Sequence, residues 1–343
     1  MRGQNDRKAA TSDRFGVGPS ALSRFVQTPY AGALVSILLV SVYLAASEPV
    51  FATWANLMNI IKSNSVVFIL ALGATYVVIS GAIDLSVASL AAACSMVYGL
   101  ILTAGLPAIP AIVLIVAFGA LLGALNGYFI AYLKISFLVV TLGTLSIYQS
   151  FALILNSGTS ISVYSMAAFK PLYAFVNGSA GPIPMILIFD VALLLILGGA
   201  LKYTGFGRAV FAIGSNREAA RLNGINVPLV IFGVFTIAGV MAGLGALVQA
   251  GRLTSAAADV DPTILMTVLA AVLIGGTAFT GGEGGVFGTM IGVLFLGVIQ
   301  NGLTLSGVSS FWQGMVSGAI LIAAVWVGGV RQISRRKKQS VKP

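Results

Sequence analysis

The chain has 343 residues, 58% of them hydrophobic and only 8% charged, and its 19 lysines and arginines against nine acids leave a net charge of +10. No soluble domain of this length is so apolar, and the basic residues gather at the termini and in one central loop, so the charge reads as that of a membrane protein and not of a nucleic-acid binder. Histidine is absent and Cys94 is the only cysteine, which excludes an internal disulfide, Cys/His zinc sites and histidine-based catalysis.

Residues 1–30 are polar, carry Arg2, Arg7, Lys8, Arg14 and Arg24, and read as a cytoplasmic tail without a signal peptide. Beyond it run apolar stretches of the roughly 20 residues that a membrane-spanning helix needs. The alternating pattern of an outer-membrane barrel is missing, so the expectation is an all-α polytopic membrane protein. Spans are expected near 31–47, 64–81, 86–105, 110–131, 137–156, 183–201, 228–250, 262–280, 286–305 and 312–330. That is about ten, or eight if the links at Gly81–Leu85 and Thr280–Gly285 are breaks inside re-entrant segments. One transmembrane domain, 31–330, then lies between the N-terminal tail and a basic tail, 331–343. With both termini cytoplasmic, every basic residue except Lys62, Lys170 and Arg252 falls on the cytoplasmic side, as the positive-inside rule requires. The outer face receives two longer links, Glu48–Ser63 with Phe51 and Trp54 as interface aromatics, and Ser157–Pro182, rich in Ser, Gly and aromatic residues. Glycine pairs four apart, such as Gly239–Gly243 and Gly288–Gly292, suit close helix packing.

The charged island between Lys202 and Val227 interrupts this apolar pattern. Ser215 followed by Glu218 fits a capping box; Ala219, Ala220 and Leu222 then make a small apolar face, and Gly224 is placed to end the helix in a left-handed conformation. The residues alone leave two readings open, a plain connecting loop or a surface helix that docks into a groove on another protein.

Four features remain as candidates for chemistry. Asp84, in GAIDLSVAS, reads as a cap of the following helix at the cytoplasmic edge, with a substrate or coupling role as the other reading. The stretch Gly275–Gly288 is too rich in glycine for a straight helix and must turn or admit another backbone; it lacks the spacing and the lysine of a phosphate-binding loop, and Glu283 reads as a cap of the next span. Asp190 is the acid placed in the middle of a span, where it should face the bundle interior and pair with a polar neighbour. Asp259 and Asp261 fall in an outer loop before Pro262, too few for a cation site. Cys94 reads as a packing residue. No motif supports an enzyme, and no energy source is encoded, which leaves an ATP-hydrolysing partner, ion coupling through Asp190 and Asp84, or a passive pore.

GAIDLSVAS resembles the Gly-Gly-Ile-Asp-Leu-Ser-Val-Gly-Ser signature of the permease subunits of bacterial ATP-binding-cassette importers for monosaccharides of the ribose, xylose and galactose type. The preceding NSVVFILALGATYVVISG, the block around Asn126–Gly127 and Thr141–Thr144, the central GRAVFAIGSNREAARLNGINV and the late GGTAFTGGEGGVFG block are similar to the same family, in order, over about Phe51–Val327. Ala82 and Ala88 stand where that family usually has glycine, Glu283 stands where a basic residue is common, and Asp190 lies outside the pattern. The resemblance implies a multi-pass inner-membrane subunit that is not an enzyme and binds no cofactor. It implies a second, identical or related permease chain, a cytoplasmic ATPase using ATP and magnesium, and a periplasmic sugar-binding protein. Ser215, Asn216, Arg217, Glu218, Ala219, Ala220, Arg221, Leu222 and Gly224 become the ATPase-coupling helix, with its small face in the partner's cleft. Gly81, Asp84, Leu85, Ser86 and Ser89 become the signature loop, and Gly275, Gly276, Gly281, Gly282 and Gly285 the glycine-rich turn. An ion-coupled secondary transporter or channel is the alternative.

Overall fold

The computed structural model describes residues 30–258, 262–309, 312–323 and 325–326. In chain order the helices are α1 (Ala31–Ser47), α2 (Trp54–Ile79), α3 (Val87–Thr103), α4 (Ala108–Ala131), α5 (Phe137–Ile154), α6 (Lys170–Asn177), α7 (Met185–Tyr203), α8 (Gly205–Ser215), α9 (Arg217–Leu222), α10 (Val227–Leu253), α11 (Pro262–Ile274) and α12 (Val286–Leu305), with α13 over Trp312–Ala323. Among the described residues six helices, α2, α4, α5, α7, α10 and α12, are long and apolar enough to cross a membrane; α1, α3, α11 and α13 are apolar and shorter. The fold is that of an all-α membrane protein.

Two boundaries differ from the sequence-based expectation. The link Glu48–Ser63 is mostly helix: Thr53 accepts from the backbone N–H of Asn56 at 3.3 Å and starts α2 at Trp54. Phe51 is buried there, while Trp54 is exposed. The span expected over 262–280 stops at Ile274, because Gly275 and Gly276 take the chain out of the helix, Gly276 at φ +88°.

From Asn64 to Ile79 nearly every residue of α2 is buried, and it packs against α7, α10, α11 and α12. A helix apolar on all sides belongs at the centre of a bundle. The longest helix, α10, lies beside it and presses on α4 through glycines. A Cβ on Gly123 would overlap the Phe235 carbonyl oxygen, and one on Gly243 would come within 3.0 Å of the Ile115 carbonyl oxygen. Gly288 and Gly292 give α12 the same closeness to Gly275 and Ala271 of the α11 side. With no water to expel between helices in lipid, contact of this kind is what holds them together.

The connection after α10 enters the bundle as extended backbone. Ile161 and Ser162 pair antiparallel with Ala256 and Ser255. Ala257 donates its N–H to Ser95 Oγ of α3 at 3.2 Å, and Gln149 of α5 donates to the Ala258 carbonyl at 3.1 Å. Ala256 and Ala258 are fully buried, so these partners supply what water cannot reach. Asp259 and Asp261 lie outside the described residues, as do the two tails apart from Tyr30.

Candidate functional site

Two loops and the end of a helix, far apart in sequence, meet backbone to backbone at one end of the bundle. The chain leaves α2 through Gly81 at φ +80°, and Gly282 donates its N–H to the Ile79 carbonyl at 2.8 Å. Gly214, near the end of α8, fills the remaining corner: a Cβ there would overlap the Ile79 carbonyl oxygen and lie 2.5 Å from Gly282 N. A Cβ on Gly281 would sit 2.8 Å from the Cα of Gly81 and 3.1 Å from that of Gly214. Gly281 and Gly282 have φ values of +83° and +77°, which glycine alone adopts without strain. The signature loop, the charged island and the glycine-rich turn are thereby one structural unit. Gly275 packs against Gly288, and Gly285 precedes α12.

The charged island holds two helices where the sequence suggested one. Thr204 caps α8, accepting from Gly207 N–H at 3.1 Å. Ser215 closes α8 and does not cap the next helix. That cap is Asn216, whose Oδ1 accepts from Ala219 N–H at 3.0 Å. Glu218 does not reach back to complete a capping box; it pairs with Arg221 at 2.6 Å, and this hydrogen bond and the adjacent charge hold its carboxyl below the usual range. Ile225 N–H returns to the Ala220 carbonyl and Gly224 N–H to that of Arg221, with Gly224 at φ +81°, the doubly bonded ending that a left-handed glycine permits. The outward face also differs. Ala220 is 4% exposed and belongs to the chain's own core, whereas Leu222 is 76% exposed. The side that α9 offers to another molecule carries Ala219, Leu222, Arg217 and the Glu218–Arg221 pair.

Asp84 is not the cap of α3. That position is Ser86, and Asp84 stands two residues before it, with Oδ1 accepting from Ser86 N–H at 2.8 Å and Ser86 Oγ at 2.6 Å. Burial pushes the Asp84 carboxyl up, and the two Ser86 bonds oppose the rise. Ser86 Oγ accepts from Asn126 Nδ2 at 2.9 Å, and Tyr148 donates both to Asn126 Oδ1 at 3.2 Å and to the Leu122 carbonyl at 3.0 Å. Ser89 donates to the Ser86 carbonyl at 2.9 Å, and Leu85 is half-buried. A buried polar chain therefore ties the signature loop to α4 and α5. The sequence reading missed it; its signal is Asn126, a lone amide in an apolar run, where an unpaired polar group would be costly.

Asp190 lies within α7, about a third of the way along it, and accepts from Ser65 Oγ of α2 at 2.9 Å. Glu283 is exposed, and the N-cap position of α12 is taken by Gly285, not by Glu283. Cys94 is free and buried. Three buried hydroxyls, of Tyr98, Thr141 and Thr277, have no partner among the described residues. On the opposite end, α6 lies over α10, with Asn177 donating to the Gly251 carbonyl at 2.9 Å. Tyr164 and Tyr173 stand exposed beside it, ring centres 5.7 Å apart.

Many apolar helices, six of them long enough to cross a membrane among the described residues, define a multi-pass membrane protein. The chain belongs to the family described as "Branched-chain amino acid transport system / permease component", which it matches over residues 56–325. It is 33% identical over 297 residues to the ribose import permease protein RbsC of Bacillus subtilis (strain 168), covering 87% of this chain and 90% of that protein. It is 32% identical to the D-allose transport system permease protein AlsC of Escherichia coli (strain K12), over 86% of this chain and 90% of that one. With the galactose/methyl galactoside import permease protein MglC of the same organism it shares 30% identity, over 89% and 95%. No solved structure matches it. It is thus a multi-pass inner-membrane permease component and not an enzyme.

Proposed function

We propose that this chain is the transmembrane subunit of an ATP-driven importer that receives a monosaccharide from a periplasmic binding protein and passes it to the cytoplasm. The three relatives are named for ribose, allose and galactose, which share a six-membered or five-membered polyhydroxy ring; the sugar class is taken from them. The bundle crosses the membrane ten times with both termini cytoplasmic. Two such chains, identical or related, enclose the pathway. A separate ATPase uses ATP and magnesium and docks on the end that carries α9. The binding protein docks on the opposite end.

The observation that carries this reading is the meeting of Gly81, Gly214 and Gly282. A push on α9 is delivered through α8 to the end of α2, the central helix, and to the turn before α12, with no flexible linker between. From the signature loop it reaches α4 and α5 through Asp84, Ser86, Asn126 and Tyr148. In this reading the residues from Ser215 to Gly224 couple, Gly81, Asp84, Leu85, Ser86 and Ser89 transmit, and Gly275, Gly276, Gly281, Gly282 and Gly285 form the seat.

The test is purification of the tagged chain in mild detergent, followed by reconstitution. A stoichiometric ATPase that comes along, and sugar uptake that needs both ATP and the binding protein, is the expected result. A chain that purifies alone and moves sugar into liposomes without ATP would overturn the proposal.

A further inference from the structure

A cavity of about 150 Å³ opens between α2, α7 and α12. Its wall is apolar, formed by residues such as Phe68, Leu194 and Val293, except for Asn64, Ser65 and Asp190. Asp190 is 6% exposed. Ser65 occupies its Oδ1, and among the described residues nothing donates to Oδ2. Asn64 places one of its two amide N–H bonds on the Ile60 carbonyl at 2.8 Å and packs against Gly297, and among the described residues nothing donates to its oxygen. Among the described residues no lysine or arginine lines the space.

Among the described residues the one carboxylate of the cavity keeps an oxygen that no donor reaches, and the walls around it are mostly apolar. A carboxyl group at membrane depth without a cation is costly and marks a functional position. Ligand pockets have this composition, an apolar lining with a few polar groups that set orientation. The space is a half-open cleft, and its volume matches that of a benzene-sized body. We infer that the cavity is a binding site for a small primary amine on an apolar body of about six to eight heavy atoms. The ammonium sits between Asp190 Oδ2 and the Asn64 oxygen, and the body lies against Phe68 and Leu194. The ion pair, made where water is scarce, is stronger than the bond an alcohol of the same shape would make. Asp190 lies outside the loop junction, so the site is independent of the transport reading above.

The test uses the intact chain in lipid nanodiscs, with benzylamine, benzyl alcohol and toluene as probes and empty nanodiscs as the partition control. Binding is read by saturation-transfer NMR. The native protein is expected to bind benzylamine at least tenfold more tightly than toluene, with benzyl alcohol between. Asp190→Asn keeps the shape and the Ser65 partner, and is expected to remove that preference while toluene still binds. Leu194→Trp, which fills the cavity, is expected to remove all three. Equal affinity for benzylamine in native and Asp190→Asn protein, or signals no larger than those of empty nanodiscs, would overturn the inference.

Discussion

Asn126 is completely buried in α4, yet both ends of its amide are used, one on Ser86 and one on Tyr148. Its worth lies less in the bonds made than in those that would be lost, since a buried polar group left without a partner costs about 1–3 kcal/mol. Asn126→Leu keeps the volume but removes the donor to Ser86 Oγ and one acceptor of the Tyr148 hydroxyl, so it should lower stability by about 2 kcal/mol. Tyr148→Phe loses one hydroxyl and leaves the Leu122 carbonyl, and should cost about 1 kcal/mol. Melting in detergent, followed by fluorescence size-exclusion, checks the order of the two; equal and negligible shifts would mean that the chain from Asp84 to Tyr148 does not hold α4 and α5 to the loop. The glycines divide in the same way. Gly224 has open space around its Cβ position and only an unfavourable φ to lose, whereas Gly214 has none. Gly224→Ala should give folded protein, about 1 kcal/mol weaker; Gly214→Val should abolish accumulation in the membrane, measured as yield.

At the scale of elements, α9 shows why a pattern of small residues does not by itself point outward. The run Ala219, Ala220, Leu222 reads as one face in sequence, but α9 has only six residues and its Ala220 is taken into the core. An arginine at Ala220 would break the chain's own packing and test folding rather than docking. Leu222 faces out, and Leu222→Glu places a charge where a partner's groove would need apolar contact. Leu222→Glu should reach the membrane at native yield and lose at least tenfold in co-purifying ATPase. Unchanged ATPase recovery would remove α9 from the docking surface. Asn216→Ala, which removes the cap, should loosen α9 by about 1 kcal/mol and give a smaller loss of the same partner.

For the whole molecule the decisive quantity is which loops share a side of the membrane. Cys94 is the single cysteine and is buried, so a Cys94→Ser background allows clean labelling. Asn223→Cys, after α9, and Thr159→Cys, in the loop after α5, are both exposed positions. An impermeant maleimide added to intact cells should label Thr159→Cys and spare Asn223→Cys; inverted vesicles should give the reverse. Labelling of both from one side would contradict a fold in which α6 and α9 lie at opposite ends.

The sequence by itself determined that this is a helical membrane protein. Apolar runs of span length leave no other way to satisfy a backbone in lipid, and the distribution of lysine and arginine sets the orientation to be expected of them. It also marked Asp84, the charged island and the glycine-rich turn as separate unusual stretches, because charge and glycine stand out in an apolar chain. Only the tertiary structure decided that these three are one junction, since contact between residues 79, 214 and 282 depends on how α2, α8 and α11 pack and not on any local pattern. The same holds for the cap at Asn216, the burial of Ala220 and the pairing of Asp84 with Ser86. Each is a choice between neighbouring residues of similar propensity, and the choice is made by what lies across from them in the folded bundle.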